Sequence, residues 1–182
     1  MRIIGIDPGY AIVGFGVVDY IDGKFSVKDF GAITTDKDTP FPKRLCEIYE
    51  DYCQILDSWK PDALSIERLY FTNNQKTGID VAQARGIIIM AAAQRGIEIN
   101  EYTPLQVKQA VVGYGQAVKK QVQEMTKNIL KLSCVPKPDD TADALAMTIC
   151  HAQTSGSLLR NIKASNCLLY TSPSPRDPKT SR

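Results

Sequence analysis

Histidine is nearly missing from this chain, with His151 the only one among 182 residues. A Ser-His-Asp or Cys-His mechanism would therefore have to be built on that single imidazole. It lies eight residues past Asp143, roughly 12 Å along a helix, so a helix-surface or partly packed position is expected for it. The five cysteines, Cys46, Cys53, Cys134, Cys150 and Cys167, form no CxxC pair and no even disulfide framework. A reducing cytoplasm is the natural compartment for such a set, and structural zinc is not expected. Long apolar runs are also lacking: Gly86 to Ala93 is less than half of the roughly 20 residues a membrane helix needs. The opening Met1-Arg-Ile-Ile-Gly reads as a short strand rather than a secretory signal. Nor is there a large excess of either charge. A formal net charge of +2 excludes an arginine-rich tail binder, so any nucleic-acid surface must come from local clustering of lysines.

What is present suits one globular domain, with 43% of residues hydrophobic and 23% charged. Three strand patterns, Arg2 to Asp7, Tyr10 to Tyr20 and Lys24 to Thr34, are joined by Asp7-Pro8-Gly9 and Asp22-Gly23 turns, which implies an antiparallel meander. A helical stripe of Leu45, Ile48, Tyr49, Tyr52 and Leu56 then runs from Phe41 to Trp59, with Cys53 joining it as ordinary core. A strand from Asp62 to Glu67 and a loop from Leu69 to Asn74 precede a helix from about Lys76 to Arg95, which Gly96 stops. That helix is apolar nearly all round between Gly86 and Ala93, which calls for burial on all sides, inside the subunit or against a dimer partner around Ile88. A short strand from Ile97 to Tyr102 leads to Thr103-Pro104, the cap and first position of a helix to Val112. Helices from Lys119 to Leu132 and from near Asp140 complete an α/β fold with a five-stranded sheet of mixed direction. From about Ala164 prolines and serines replace any periodic pattern, so residues 1–164 are read as the domain and 165–182 as a disordered or non-native tail.

Four acids stand out. Asp7 and Glu67 each end an apolar strand pattern, and parallel neighbouring strands would bring both to one sheet edge. A glutamate closing Ala63-Leu-Ser-Ile66 is costly at a buried strand end unless it binds something. Asp140 and Asp143 share a helical face at i,i+3, and Asp139 beside them is free to cap the helix. Four converging carboxylates repel strongly, and divalent cations relieve that repulsion. From Thr103 to Leu132 the charges are Lys108, Lys119, Lys120, Lys127 and Lys131 against Glu124 alone, the most one-sidedly basic stretch of the domain.

These residues fall in segments that together resemble the RuvC family of bacterial Holliday-junction resolvases: Ile4-Gly-Ile-Asp-Pro-Gly9, Ser65-Ile-Glu67, Ala82-Gln-Ala-Arg-Gly86, Gln106-Val-Lys-Gln109, Val111-Val-Gly113 and Asp140-Thr-Ala-Asp-Ala-Leu-Ala146. The motifs follow in order over about Met1 to Gln153. The resemblance implies a ribonuclease H-like fold with helices on both faces of the sheet, a homodimer, and paired magnesium-dependent nicks in a four-way DNA junction during recombination and repair. It carries the catalytic and metal-binding roles to Asp7, Glu67, Asp140 and Asp143, with two Mg2+ ions per subunit that Mn2+ can replace. It also places Lys108 and Lys119 near the scissile phosphate and Tyr70 at a base of the opened junction, where Phe71 can share the contact. RuvA and RuvB, the branch-migration helicase, are the implied protein partners. Two other readings compete. The Asp7-Pro-Gly9 hairpin resembles that of sugar kinases and actin-like ATPases, but the chain has room for only one of the two domains those proteins pair. A non-catalytic junction binder would gain nothing from four acids near phosphates.

Overall fold

The computed structural model describes residues 1–69 and 75–165. Its elements are β1 (Arg2–Asp7), β2 (Ile12–Ile21), β3 (Lys24–Thr34), α1 (Phe41–Trp59), β4 (Ala63–Glu67), α2 (Gln75–Gln94), β5 (Glu98–Tyr102), α3 (Pro104–Val112), α4 (Lys119–Leu130) and α5 (Asp139–Ser165). The five strands form one sheet in the order β3-β2-β1-β4-β5. The meander β1-β2-β3 is antiparallel, while β4 and β5 run parallel to β1. Helices cover both faces, giving the ribonuclease H-like architecture. Among the described residues no helix is long and apolar enough to cross a membrane.

Side chains alternate between the faces of a strand, and the alternation sorts this sheet cleanly. Ile4, Ile6, Val13, Val17, Leu64 and Ile66 pack with Ile48, Tyr52 and Leu56 of α1 and with Ala84, Ile88, Ala91 and Ala92 of α2. On the opposite face α5 lies across the sheet, and Leu145, Ala146, Ile149 and Cys150 join Val107 and Val111 of α3 and Val122 and Leu130 of α4 in a second cluster. Asp7 and Glu67 share the parity of Gly5 and Ser65, so both carboxylates face α5.

Boundaries moved where local chemistry intervened. Lys131 adopts a left-handed φ of 55°, and its N–H and that of Leu132 bond back to Asn128 and Lys127, which ends α4 at Leu130. The cap at Thr103 forms as expected: Gln106 N–H donates to Thr103 Oγ1 at 3.1 Å and Thr103 N–H donates to Gln106 Oε1 at 2.8 Å. Helix α5 continues to Ser165, past the expected boundary at 164, and the reading of the tail concerns residues that lie almost wholly outside those described.

Two expectations are corrected. Ile88 has no exposed surface within the single subunit, so it belongs to the core and not to a dimer contact. The outward side of α2 instead carries Ile79, 52% exposed, and Met90, 46% exposed. His151 is not on a helix surface; it is buried, because α5 is wedged between the sheet and the α3–α4 pair and is covered on more than one side.

Candidate active site

Two strand ends and one helix start meet at a cavity. In the parallel pairing of β1 with β4, Ile6 lies opposite Ile66, so Asp7 and Glu67 leave the sheet side by side. Bringing α5 down to them requires bare backbone beneath it. A Cβ at Gly14, the register partner of Asp7 on β2, would overlap the Asp140 carbonyl, and one at Gly5 would overlap the Ala144 carbonyl. Two hydroxyls fasten the helix in place. Thr141 Oγ1 donates to Gly31 O at 3.0 Å on β3, and Ser65 Oγ donates to Met147 O at 2.7 Å from β4. Only with the helix seated this deeply do Asp140 and Asp143 approach the strand-end acids.

Asp7, Glu67 and Asp143 line a cavity of about 220 Å³ together with Pro104, Val107, Lys108, Lys119 and Val122. Asp140 is not part of that lining but acts electrostatically on both Asp7 and Asp143. The electrostatics record the crowding. The pKa of Asp7 is raised to about 7, first by burial and then by the charges of Asp143, Glu67 and Asp140, with Lys119 opposing. Glu67 is raised by burial and by Asp143. Burial also raises Asp143, against the pull of its hydrogen bond and charge interaction with Lys119.

Lys119 provides the counter-charge in this arrangement. Its Nζ lies 2.9 Å from Asp143 Oδ2 and 3.5 Å from Asp139 Oδ2, so Asp139 serves as a second partner for the ammonium. Among the described residues no three His, Cys, Asp or Glu side chains already stand as a metal-holding group. The donor set nevertheless fits a hard divalent cation: carboxylate oxygens that penalise one another's charge, with no histidine or cysteine in the lining.

Of the other residues singled out in the sequence, Lys108 and Lys119 both reach the cavity wall, whereas Tyr70 and Phe71 lie outside the described residues. Two supports had no role assigned from sequence. Arg85 donates from Nε to the Glu67 carbonyl at 3.1 Å and pairs with Glu101, holding the end of β4; in the sequence it stood only as a member of the Ala82-Gln-Ala-Arg-Gly86 motif. Tyr102 pairs with Glu67 in the sheet register, and its hydroxyl hydrogen-bonds His151 Nδ1 at 2.8 Å. Burial keeps the His151 pKa below the usual histidine range.

The family model of the crossover junction endodeoxyribonuclease RuvC matches residues 3–151. The RuvC protein of Ruminiclostridium cellulolyticum is 54% identical over 163 residues, covering 88% of this chain and 98% of the relative. That of Alkaliphilus oremlandii is 53% identical over 154 residues, 85% of this chain and 94% of the relative. Among solved structures, Thermus thermophilus RuvC in complex with a Holliday junction substrate superposes with a TM-score of 0.81 at 33% identity, covering 85% of this chain and 94% of that one.

Proposed function

The chain belongs to the RuvC family of crossover junction endodeoxyribonucleases, and we propose that it resolves four-way DNA junctions by paired symmetric nicks, each made by metal-assisted hydrolysis at the cavity of Asp7, Glu67 and Asp143. The observation that carries the mechanism is the gathering of Asp7, Glu67 and Asp143 in one cavity, where burial first and then the neighbouring acids push the Asp7 pKa up to about 7. Asp7, Glu67, Asp140 and Asp143 would hold two Mg2+ ions, with Mn2+ able to replace them. The bound metal supplies the Lewis acidity that activates water and stabilises the departing 3′ oxygen.

The chain's own residues do the rest. Asp7 ends the central strand, with Glu67 on one side and the helical pair on the other, so it would stand at the centre of the metal-holding acids. Arg85 and the Tyr102–His151 pair keep the Glu67 backbone in register with it. Lys119, paired with Asp143 at the cavity wall, and Lys108 beside it would supply point charges for the phosphate. Tyr70, with Phe71 beside it, stacks on a base at the opened junction.

Paired cuts on a two-fold substrate call for two equivalent sites in a symmetric dimer. The apolar positions Ile79 and Met90 on the outward side of α2, with Gly86 and Ala93 also exposed, supply a self-complementary surface for it. The enzyme acts in the cytoplasm, with the RuvA and RuvB helicase as partner.

The test is incubation with a synthetic four-way junction and a linear duplex of matching sequence, with and without Mg2+. Symmetric nicks in the junction alone, and only with the metal, are expected. Equal cutting of the linear duplex would overturn the reading.

A further inference from the structure

The three most exposed large apolar side chains of the α3–α4 hairpin are Leu105, Tyr114 and Val118, at 54%, 47% and 61% exposure, ahead of Met125 at 37%. Two of them are chain neighbours of residues that line the cavity. Leu105 follows Pro104 and precedes Lys108 by three positions, so it shares a helical face with that lysine; Val118 immediately precedes Lys119. Pro104, Lys108 and Lys119 all line the cavity.

Tyr114 sits on the turn between the helices, and its ring is fixed rather than free. Its hydroxyl donates to Gln121 Oε1 at 3.0 Å, and the same oxygen accepts the Val118 N–H at 3.0 Å. The turn also closes against Leu105, since a Cβ at Gly115 would overlap the Leu105 Cδ1 methyl. The hairpin therefore presents a preorganised apolar plate bracketed by the two cavity lysines. Clustered exposed apolar groups mark a binding surface more often than chance. A plate with ammonium groups on both flanks matches one chemistry closely, that of a nucleotide whose base lies on the ring while its neighbouring phosphates meet the lysines.

We propose that the plate of Leu105, Tyr114 and Val118 receives the base of a nucleotide flanking the scissile phosphate, which makes Tyr114 a determinant of where the strand is cut. The proposal rests on the junction-cutting reading above and deepens it, because Leu105 and Val118 stand in the chain beside Pro104 and Lys119, which line the same cavity. Stacking tolerates any base but favours those with the larger ring face, so the plate ranks sequences by stacking strength without a hydrogen-bond code.

The experiment uses the full chain in single-turnover cleavage of a synthetic junction, intact or carrying one abasic site at each nucleotide next to the cut. For the unaltered protein, one abasic position should slow cleavage on the order of tenfold. Tyr114→Ala should show a similar loss on the intact junction and no further loss at that abasic position, while Tyr114→Phe, which keeps the ring, should retain the abasic sensitivity. Leu105→Ala should weaken the same coupling in part. Abasic penalties that persist in full in Tyr114→Ala at every flanking position would overturn the proposal, as would normal cutting of the intact junction by that variant. A Tyr114→Ala protein impaired only when the helicase is present would make the plate a protein-docking surface and likewise overturn it. If the unaltered protein leaves the intact junction uncut, the junction-cutting reading falls, and the proposal with it.

Discussion

The two faces of the sheet are built on opposite terms. Towards α1 and α2, β1 and β4 present Ile4, Ile6, Leu64 and Ile66, all without exposed surface, against Tyr52, Leu56 and Ile88. Towards α5 the same strands thin to Gly5 and Ser65 and end in Asp7 and Glu67, with Gly14 alongside on β2. One face gains stability from side-chain volume, whereas the other gives up volume so that a helix backbone can approach the sheet and deliver carboxylates. Substitutions on the two faces should therefore separate stability from activity.

The largest effect is expected at the thinned face. Asp7→Asn should reduce cleavage on the order of a thousandfold or more, with junction affinity within a few-fold of the unaltered protein in a gel-shift titration. Loss of binding together with cleavage would make Asp7 a structural residue. Gly14→Ala comes next. Its added methyl group has no room against the Asp140 carbonyl, so the start of α5 must shift, and an ångström of misplacement at such a site costs about a hundredfold in rate. Cleavage near the unaltered rate would show that Asp140 does not depend on this close approach.

Ile88→Ala on the filled face should behave in the opposite sense. Loss of a fully buried side chain costs about 2–5 kcal/mol of stability, readable by urea titration, while cleavage per folded molecule stays unchanged. Met90→Asp, on the outward side of the same helix, should leave the urea midpoint nearly unmoved and weaken association in analytical ultracentrifugation. Association unaffected by Met90→Asp would remove α2 from the proposed dimer contact.

The contrast between faces also explains how far the sequence could be read. Strand-end positions such as Asp7 and Glu67 follow from apolar runs that stop at an acid, and the Thr103 cap with Pro104 is a local signal that the structure reproduces. The burial of His151 is not local: Ala142, Leu145, Ala146 and Ile149 recur at i, i+3, i+4 and i+7 and mark one covered face, but Ala144, Met147 and Ala152 are buried as well, since the helix is enclosed between two layers. The placement of Asp140 depends on Gly14, well over a hundred residues away in sequence, and a glycine in a strand does not announce which backbone will approach it. Arg85 was legible as part of a motif, yet its partner, the Glu67 carbonyl, became visible only once α2 was packed beside β4 and β5. For α2, the all-round apolar pattern could not tell inward from outward residues, and the structure divides them into Ile88 within and Met90 without.

The smallest effect is one of pH, and it tests the electrostatic side of the comparison. In the metal-free protein Asp7 titrates near 7, while burial and neighbouring acids also raise Glu67 and Asp143; in the unfolded chain all three ionise near pH 4. Between those limits a folded Asp7 holds a proton that the unfolded chain has released, so its contribution to stability is complete below about pH 4 and is lost as pH rises through about 7, with Glu67 and Asp143 acting in the same sense. His151 works in the opposite direction, because its lowered pKa withdraws stability as pH falls below about 6.5. Comparison with Asp7→Asn removes that background. The two proteins should melt at similar temperatures at pH 5, and the variant should melt higher at pH 8, where only the unaltered protein carries the ionised, repelled Asp7. Adding Mg2+ should raise the melting temperature of the unaltered protein more at pH 8 than at pH 6, since at the higher pH the acids are already free of protons. An Asp7→Asn protein that melts lower than the unaltered one at pH 8 without metal would mean that Asp7 is held there by attraction, and the crowded-carboxylate account of this face would fail.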